Sequence, residues 1–224
     1  MPRRVTRKMM KEDEFVSFFD EVARWFSDNW RPVAAGVGVV VLVVLVWWGA
    51  GAWSARRSED AAYLLRGAEK VLEGGGTTPG SVDAAEPLLR EVVDRYGRTP
   101  QADVARLYLA RIELGRGETE TAREALRELA GHHAGTAIGA AATLDLLHLR
   151  IASGQGAEVA SELQAMVSSA EPALPRDTAL YELGMLLVRE ERPAEAKDPF
   201  ERLVKDFPES PYRFAAQQKL SELG

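Results

Sequence analysis

From residue 33 to residue 53 the chain reads VAAGVGVVVLVVLVWWGAGAW, without one charged side chain. A helix of that length rises about 31 Å, against roughly 30 Å of bilayer hydrocarbon. Arg31 and Pro32 bound the run on one side and Arg56-Arg57 on the other, with Trp30 and Trp53 where interfacial aromatics belong. A core helix of a soluble protein is normally shorter and carries a polar stripe. Ala50-Gly51-Ala52 would pass as a signal-peptide cleavage site, but the preceding tail is 32 residues long and carries six acids, and the apolar run exceeds a signal's. The pattern predicts a retained single-span anchor. Upstream, Phe15, Phe18, Phe19, Val22, Phe26 and Trp30 recur at helical spacing opposite Glu14, Asp20, Glu21 and Asp28, predicting a short amphipathic helix.

Beyond the span, helical patterns alternate with short turns, and no convincing period-2 stretch suggests a strand. A repeat of 37 residues emerges. Ala85, Ala122, Val159 and Ala196 form one column; Leu89, Leu126, Leu163 and Phe200 a second; Val92, Leu129, Met166 and Leu203 a third. Within each repeat the offsets of four and seven place the three apolar side chains on one helix face. A preceding helix in each unit carries Leu109, Leu146 and Leu183 in register, with Gly117 and Gly154 at the corner between the helices. The last corner reads Glu191-Arg192-Pro193. A helix over 58–73, capped at Ser58, opens the array. Residues 74–81 (GGGTTPGS) read as a flexible loop, and a closing helix presents Phe214, Ala215 and Leu220 on its apolar side.

The stretch DTALYELGMLLVREERPAEAKDPFERLVKDFPESP resembles a tetratricopeptide repeat through Leu180, Leu183-Gly184, Leu187, Ala196, Phe200, Leu203 and Pro208. The likeness extends over roughly 85–223. It departs in the period, 37 rather than the usual 34, and in Pro199, which removes a backbone donor inside a second helix and should bend it. The expected fold is therefore all-α: residues 1–32 a tail with an amphipathic helix, 33–53 a transmembrane helix, 54–224 a tetratricopeptide-like α-solenoid of helical hairpins. In such arrays the first helices line the groove. By register its inward positions are Leu107, Leu144 and Tyr181 in one column and Arg111, His148 and Met185 in another, a largely apolar surface for a partner segment. The same residues fit equally as core between stacked hairpins. Glu at Leu144 and Tyr181 separates the two readings: an unchanged melting temperature marks groove, a large fall marks core.

Charge and chemistry narrow the function. Acidic residues outnumber basic ones, 34 to 28, and no basic stripe with interleaved aromatics is present, which argues against nucleic acid. There is no cysteine, hence no disulfide, thiolate metal site or thiol nucleophile. No nucleotide loop, metalloprotease helix or nucleophile elbow occurs, so no catalytic residue, cofactor or small-molecule substrate is expected and the chain reads as a non-enzyme. His132-His133 falls in an inter-helix turn without a third metal ligand in register, so no metal site is expected.

The order of parts resembles the ancillary Sec-translocon subunit family. The stretches EFVSFFDEVARWFSDNWRPVAAGVGV and RLYLARIELGRGETETAREAL carry the likeness. That resemblance implies a bacterial inner-membrane protein, single-pass, with a cytoplasmic N-terminus and a periplasmic repeat domain that links the Sec translocon with periplasmic chaperones. The basic tail (Arg3, Arg4, Arg7, Lys8, Lys11) agrees with that orientation, while Arg56, Arg57, Arg66 and Lys70 after the span oppose it. The ending FERLVKDFPESPYRFAAQQKL is also similar to repeats of envelope-assembly and cell-division scaffolds, which keeps a scaffold binding envelope proteins open as an alternative. A third reading, a soluble exported enzyme, requires cleavage after Ala52.

Overall fold

The computed structural model describes the backbone of residues 7–75 and 78–224, and side chains from residue 30 onward except 32, 33, 37 and 75. All regular structure among them is helical: α1 (Arg7–Gly75), α2 (Pro79–Tyr96), α3 (Pro100–Gly115), α4 (Thr119–His132), α5 (Ala137–Ala152), α6 (Gly156–Ser168), α7 (Arg176–Arg189), α8 (Pro193–Asp206) and α9 (Arg213–Glu222). Two compact units divide the chain, Met1–Arg57 and Ser58–Gly224.

In the first unit the amphipathic segment is not a separate helix: α1 begins at Arg7 and runs on into the apolar stretch. The side chains of Phe15, Phe18, Phe19, Val22 and Phe26 lie outside the described residues. Val39 to Val46 are each half exposed or more, and Trp47 and Trp48 reach 78% and 70%. The Arg57 guanidinium lies 4.7 Å from the Trp53 ring centre and that of Arg31 5.9 Å from Trp30, a cation–aromatic pair at each end of the run.

The second unit opens within α1. Ser58 caps nothing, because α1 passes straight through it; the flanking Ala, Arg, Glu and Leu residues are good helix formers and no Gly or Pro lies between Ala52 and Arg66. The loop after it is also shorter than its glycines suggest. Pro79 takes the first turn of α2, where its fixed φ suits a helix start, and buried Ser81 donates its hydroxyl to the Thr78 carbonyl at 2.9 Å.

The last part of α1 and α2 form the first hairpin; α3/α4, α5/α6 and α7/α8 follow, and α9 stands as one more first helix. The 37-residue register holds throughout. Ala85, Ala122, Val159 and Ala196 are fully enclosed, as are Leu89, Leu126, Leu163 and Phe200. In the third column Val92, Leu129 and Leu203 are buried, but α6 buries Val167 in place of Met166. First helices carry a column of their own: Ala68, Ala105, Ala142, Ala179 and Ala216, none with any exposed surface. Leu72 and Leu220 extend the leucine column of 109, 146 and 183 by one repeat in each direction. In α9 the buried stripe is Ala216 with the partly buried Tyr212, Leu220 and Leu223, whereas Phe214 is 77% exposed. Phe214 occupies the column of Asp103, Ala140 and Asp177, in the first helical turn, and so points away from the apolar stripe.

The hairpin corners are built alike. Gly117 and Gly154 have φ of 82° and 83°, and each N–H bonds back to Leu114 or Ile151 while the next residue bonds to Glu113 or Arg150. This is a Schellman closure. Glu191 stands at the third corner with φ of 60° and the same two bonds, to Val188 and Leu187, so a non-glycine residue bears the left-handed conformation there. Pro199 does not end α8; its ring is buried.

One exchange distinguishes the last hairpin. Phe200 replaces the leucine of the other second helices, and Gly184 faces it where α3 has Ala110 and α5 has Leu147. A methyl group at Gly184 would lie 2.6 Å from the Phe200 ring. Gly184→Ala should therefore destabilise the domain by about 1–3 kcal/mol through overpacking, despite the better helix propensity of Ala. Gly131→Ala, in open space on α4, should stabilise by up to about 1 kcal/mol. Thermal melts of the two variants read opposite signs, and Phe200→Leu should restore the melting temperature of Gly184→Ala.

Candidate protein-binding face

The six residues placed in the groove by register fall into two groups. Leu107 is 6% exposed and belongs to the core that α3, α4 and α5 share with Ala110, Leu126, Leu129 and Ala142. Leu144, Tyr181 and Met185 are partly buried and pack on the core of the last repeats. Tyr181 stacks on Tyr212 at 4.7 Å between ring centres and meets Phe200 edge-on at 6.2 Å. The exposed members are Arg111 and His148, so the solvent-facing part of the row is polar.

Those two residues join neighbouring first helices. Arg111 on α3 donates from Nε to Asp145 on α5 at 2.7 Å, and His148 Nε2 lies 3.0 Å from a Glu182 carboxylate oxygen on α7. One repeat earlier, the Tyr108 hydroxyl on α3 reaches Glu69 on α1 at 3.5 Å. Tyr108, Asp145 and Glu182 share one column of the repeat, and Arg111 and His148 share the column one turn further on. The result is a ladder of polar cross-links running from first helix to first helix. The face carries fixed charges and hydrogen-bonding groups, with the partly buried Leu144, Tyr181 and Met185 between them.

The remaining histidines are helix-terminal residues. His132 ends α4 and His133 caps it, with Nε2 of His133 3.2 Å from Asp103 on α3. No group of three or more metal-type ligands gathers among the described residues. Elsewhere Glu86 on α2 accepts from Arg116 at 2.5 Å and Arg90 at 2.7 Å, which hold its carboxyl down at about 2.

The hydrogen bond to Glu182 raises the His148 pKa above the ordinary 6.5; the charges of Glu182 and Asp145 add to this, while burial and Arg189 oppose it. The imidazolium pair therefore contributes stability that is complete below about pH 6.5 and is lost as the pH rises through the raised folded value. The melting-temperature difference between the native chain and His148→Gln should be larger at pH about 5.5 than at pH about 9. Tyr181→Glu, which strips the stack on Tyr212 and places a carboxylate beside Phe200, should lower the melting temperature by several degrees, the result that marks this position as core.

A family model for the tetratricopeptide repeat-like domain matches residues 23–224, taking in the apolar run as well as the repeats. No curated protein matches the chain. Among solved structures, a Podosopora anserina protein of kinesin light chain type, made of nearly identical TPR-like repeats, is similar at a TM-score of 0.52 and 22% identity, over 75% of this chain and 86% of that one. A single-substitution variant of the same protein gives a TM-score of 0.52 and 22% identity over 75% and 85%. At that identity the likeness concerns the fold. Repeats of this type generally act as non-enzymatic scaffolds for protein–protein interaction, and the chain belongs to the tetratricopeptide repeat-like domain family.

Proposed function

We propose that the protein is a membrane-anchored scaffold whose repeat domain binds protein partners at the periplasmic face of a bacterial inner membrane, linking the Sec translocon with periplasmic chaperones. The observation that carries the anchor is the exposure of the apolar stretch on α1. Eight successive Val and Leu residues, Val39 to Val46, together with Trp47 and Trp48, find no cover. In water that patch would far exceed what soluble monomers tolerate, whereas in hydrocarbon it is solvated. The aromatic–arginine pairs at residues 30–31 and 53–57 suit the two interfaces. Residues 1–32 then form the cytoplasmic tail, 33–53 the span and 54–224 the periplasmic domain. The choice of partners rests on the resemblance of the tail and mid-domain sequences to the ancillary translocon subunits. The partner face is the first-helix row: Arg111 and His148 with the edges of Leu144 and Met185, while Leu107 and Tyr181 support it from beneath. Tethering raises the local concentration of one partner beside another, so even weak contacts become useful.

The absence of cysteine makes orientation directly measurable. Ser81 is buried and would label poorly, but Ser168 is exposed at the end of α6. Ser168→Cys in intact cells should react with a thiol reagent that enters the periplasm and not the cytoplasm, with the protein still in the membrane fraction. Labelling only after lysis would place the repeats inside and refute the proposal. A photo-crosslinking residue at His148 should then capture translocon or chaperone components; capture of cell-division or outer-membrane assembly proteins in their place would favour an envelope scaffold of the same topology.

A further inference from the structure

A cleft of about 480 Å³ opens between α4, α5 and α6, lined by Arg123, Arg127, Arg150 and the Glu162 that pairs with Arg150, over a floor that includes Leu146 and Leu147. Its origin lies in the repeat. At the place where a first helix meets its own second helix, α7 has Gly184, α3 has Ala110 and α5 has Leu147. The contact shrinks in the same order: α7 and α8 touch most extensively, and α5 and α6 far less. Leu147 packs in the same core cluster as Leu163 of α6, and its bulk holds the two helices apart. The gap beside it is the cleft.

Its charge breaks the repeat. Thirty-seven residues earlier, the positions of Arg123 and Arg150 are Glu86 and Glu113; thirty-seven residues later they are Ala160 and Leu187. The Arg127 column reads Arg90, Arg127 and Gln164. In α2, Arg90 is paired with Glu86 at 2.7 Å, four residues before it. Arg127 instead has Arg123 at that spacing, a like-charged pair that opposes helix stability. Arg123 is held by Glu120 at 2.7 Å, and Arg150 by Glu162 and Gln155, but Arg127 has no ion pair or hydrogen bond among the described residues. A chain of net charge −6 thus places Arg123 and Arg150 where the repeats on either side have acids or neutral residues, beside Arg127, whose column is already basic one repeat earlier. At the Arg123 and Arg150 columns the other repeats pack without the charge, and Arg127, unlike Arg90, has no carboxylate partner among the described residues, so its guanidinium is left for binding.

We infer that this cleft is a docking site for an extended acidic peptide segment of a partner protein, held through carboxylates on Arg127 and Arg123. Its volume falls within the roughly 300–1,000 Å³ of ligand sites. Guanidinium groups match carboxylates in a two-pronged fashion. Thr143, Ser153 and Gln155 on the walls supply hydrogen-bonding groups for a peptide backbone, and the leucine floor accommodates its aliphatic carbons. The cleft lies apart from the Arg111–His148 row and deepens the scaffold reading by naming the chemistry of one partner. Peptide titration is blind to membrane topology, and thiol labelling is blind to the cleft, so failure of one leaves the other standing.

The test uses the full chain in detergent and a labelled peptide of four Asp-Ser repeats, followed by fluorescence anisotropy. Binding should weaken steeply with added salt and should be absent for the same peptide with Asn for Asp. Arg127→Glu should lower affinity at least ten-fold, and Arg127→Ala, which cannot disturb folding by adding an acid, should lower it measurably. Arg90→Glu, the same column one repeat earlier, should leave it unchanged. No binding, equal loss from Arg90→Glu, or no loss from either Arg127 variant overturns the proposal. Displacement of the peptide by oligothymidylate at lower concentration than by unlabelled peptide would make the cleft a phosphate site and overturn it too.

Discussion

The second unit depends on how closely each first helix can approach its neighbours, and that distance is set by a column of alanines. Ala68, Ala105, Ala142, Ala179 and Ala216 are fully enclosed, one in each first helix. A methyl group there lets backbones come near enough for the larger residues of the second helices to reach across. The leucines at 89, 126 and 163, and Phe200, are buried because the alanines make room. Neither helix of a hairpin could bury such a face alone, so the cooperative unit is the stack.

Small changes in side-chain volume then become differences in architecture. Gly184 accepts the Phe200 ring and gives the tightest hairpin, Ala110 a similar one, and Leu147 an opened one. The array also shows how such a stack finishes. Where α7 presents Leu180, Tyr181 and Gly184 to α8, the same columns in α9 are Gln217, Gln218 and Ser221, all exposed. A helix with those residues can face water on the side where an earlier repeat would bury its partner. Polar cross-links between first helices, Arg111 to Asp145 and His148 to Glu182, hold the register at the surface while the alanines hold it inside. Being half-exposed ion pairs, they contribute modestly to stability.

The two units distribute their apolar residues differently. In the repeats, apolar residues recur on one face because the other meets water. Along residues 38–48 the described side chains are apolar or glycine all round the helix and are exposed. One chain thus carries two kinds of helix, told apart by whether apolar residues form a stripe or a sleeve.

Much of this is written in periodicity alone. The 37-residue columns identify the second-helix core, the hairpins and the all-helical fold, because burial in a repeat falls on the same position each time. The uninterrupted apolar run identifies a helix of bilayer length by composition. What periodicity does not contain is the direction in which neighbouring repeats approach. Leu107 shares a column with Leu144 and Tyr181, yet it is enclosed while they are partly open, since exposure depends on which helix packs above it. Phe214 looks like core by residue type and is exposed by phase, and Ser58 looks like a cap but lies within a helix whose continuity depends on both flanks. The ladder from Arg111 to Glu182 joins residues 34 apart, a spacing that differs from the repeat by nearly one turn and is meaningful only once adjacent helices are set side by side. Sequence determined which faces are buried; the tertiary structure decided which polar groups meet, because that is a matter of distance between helices that the chain connects only indirectly.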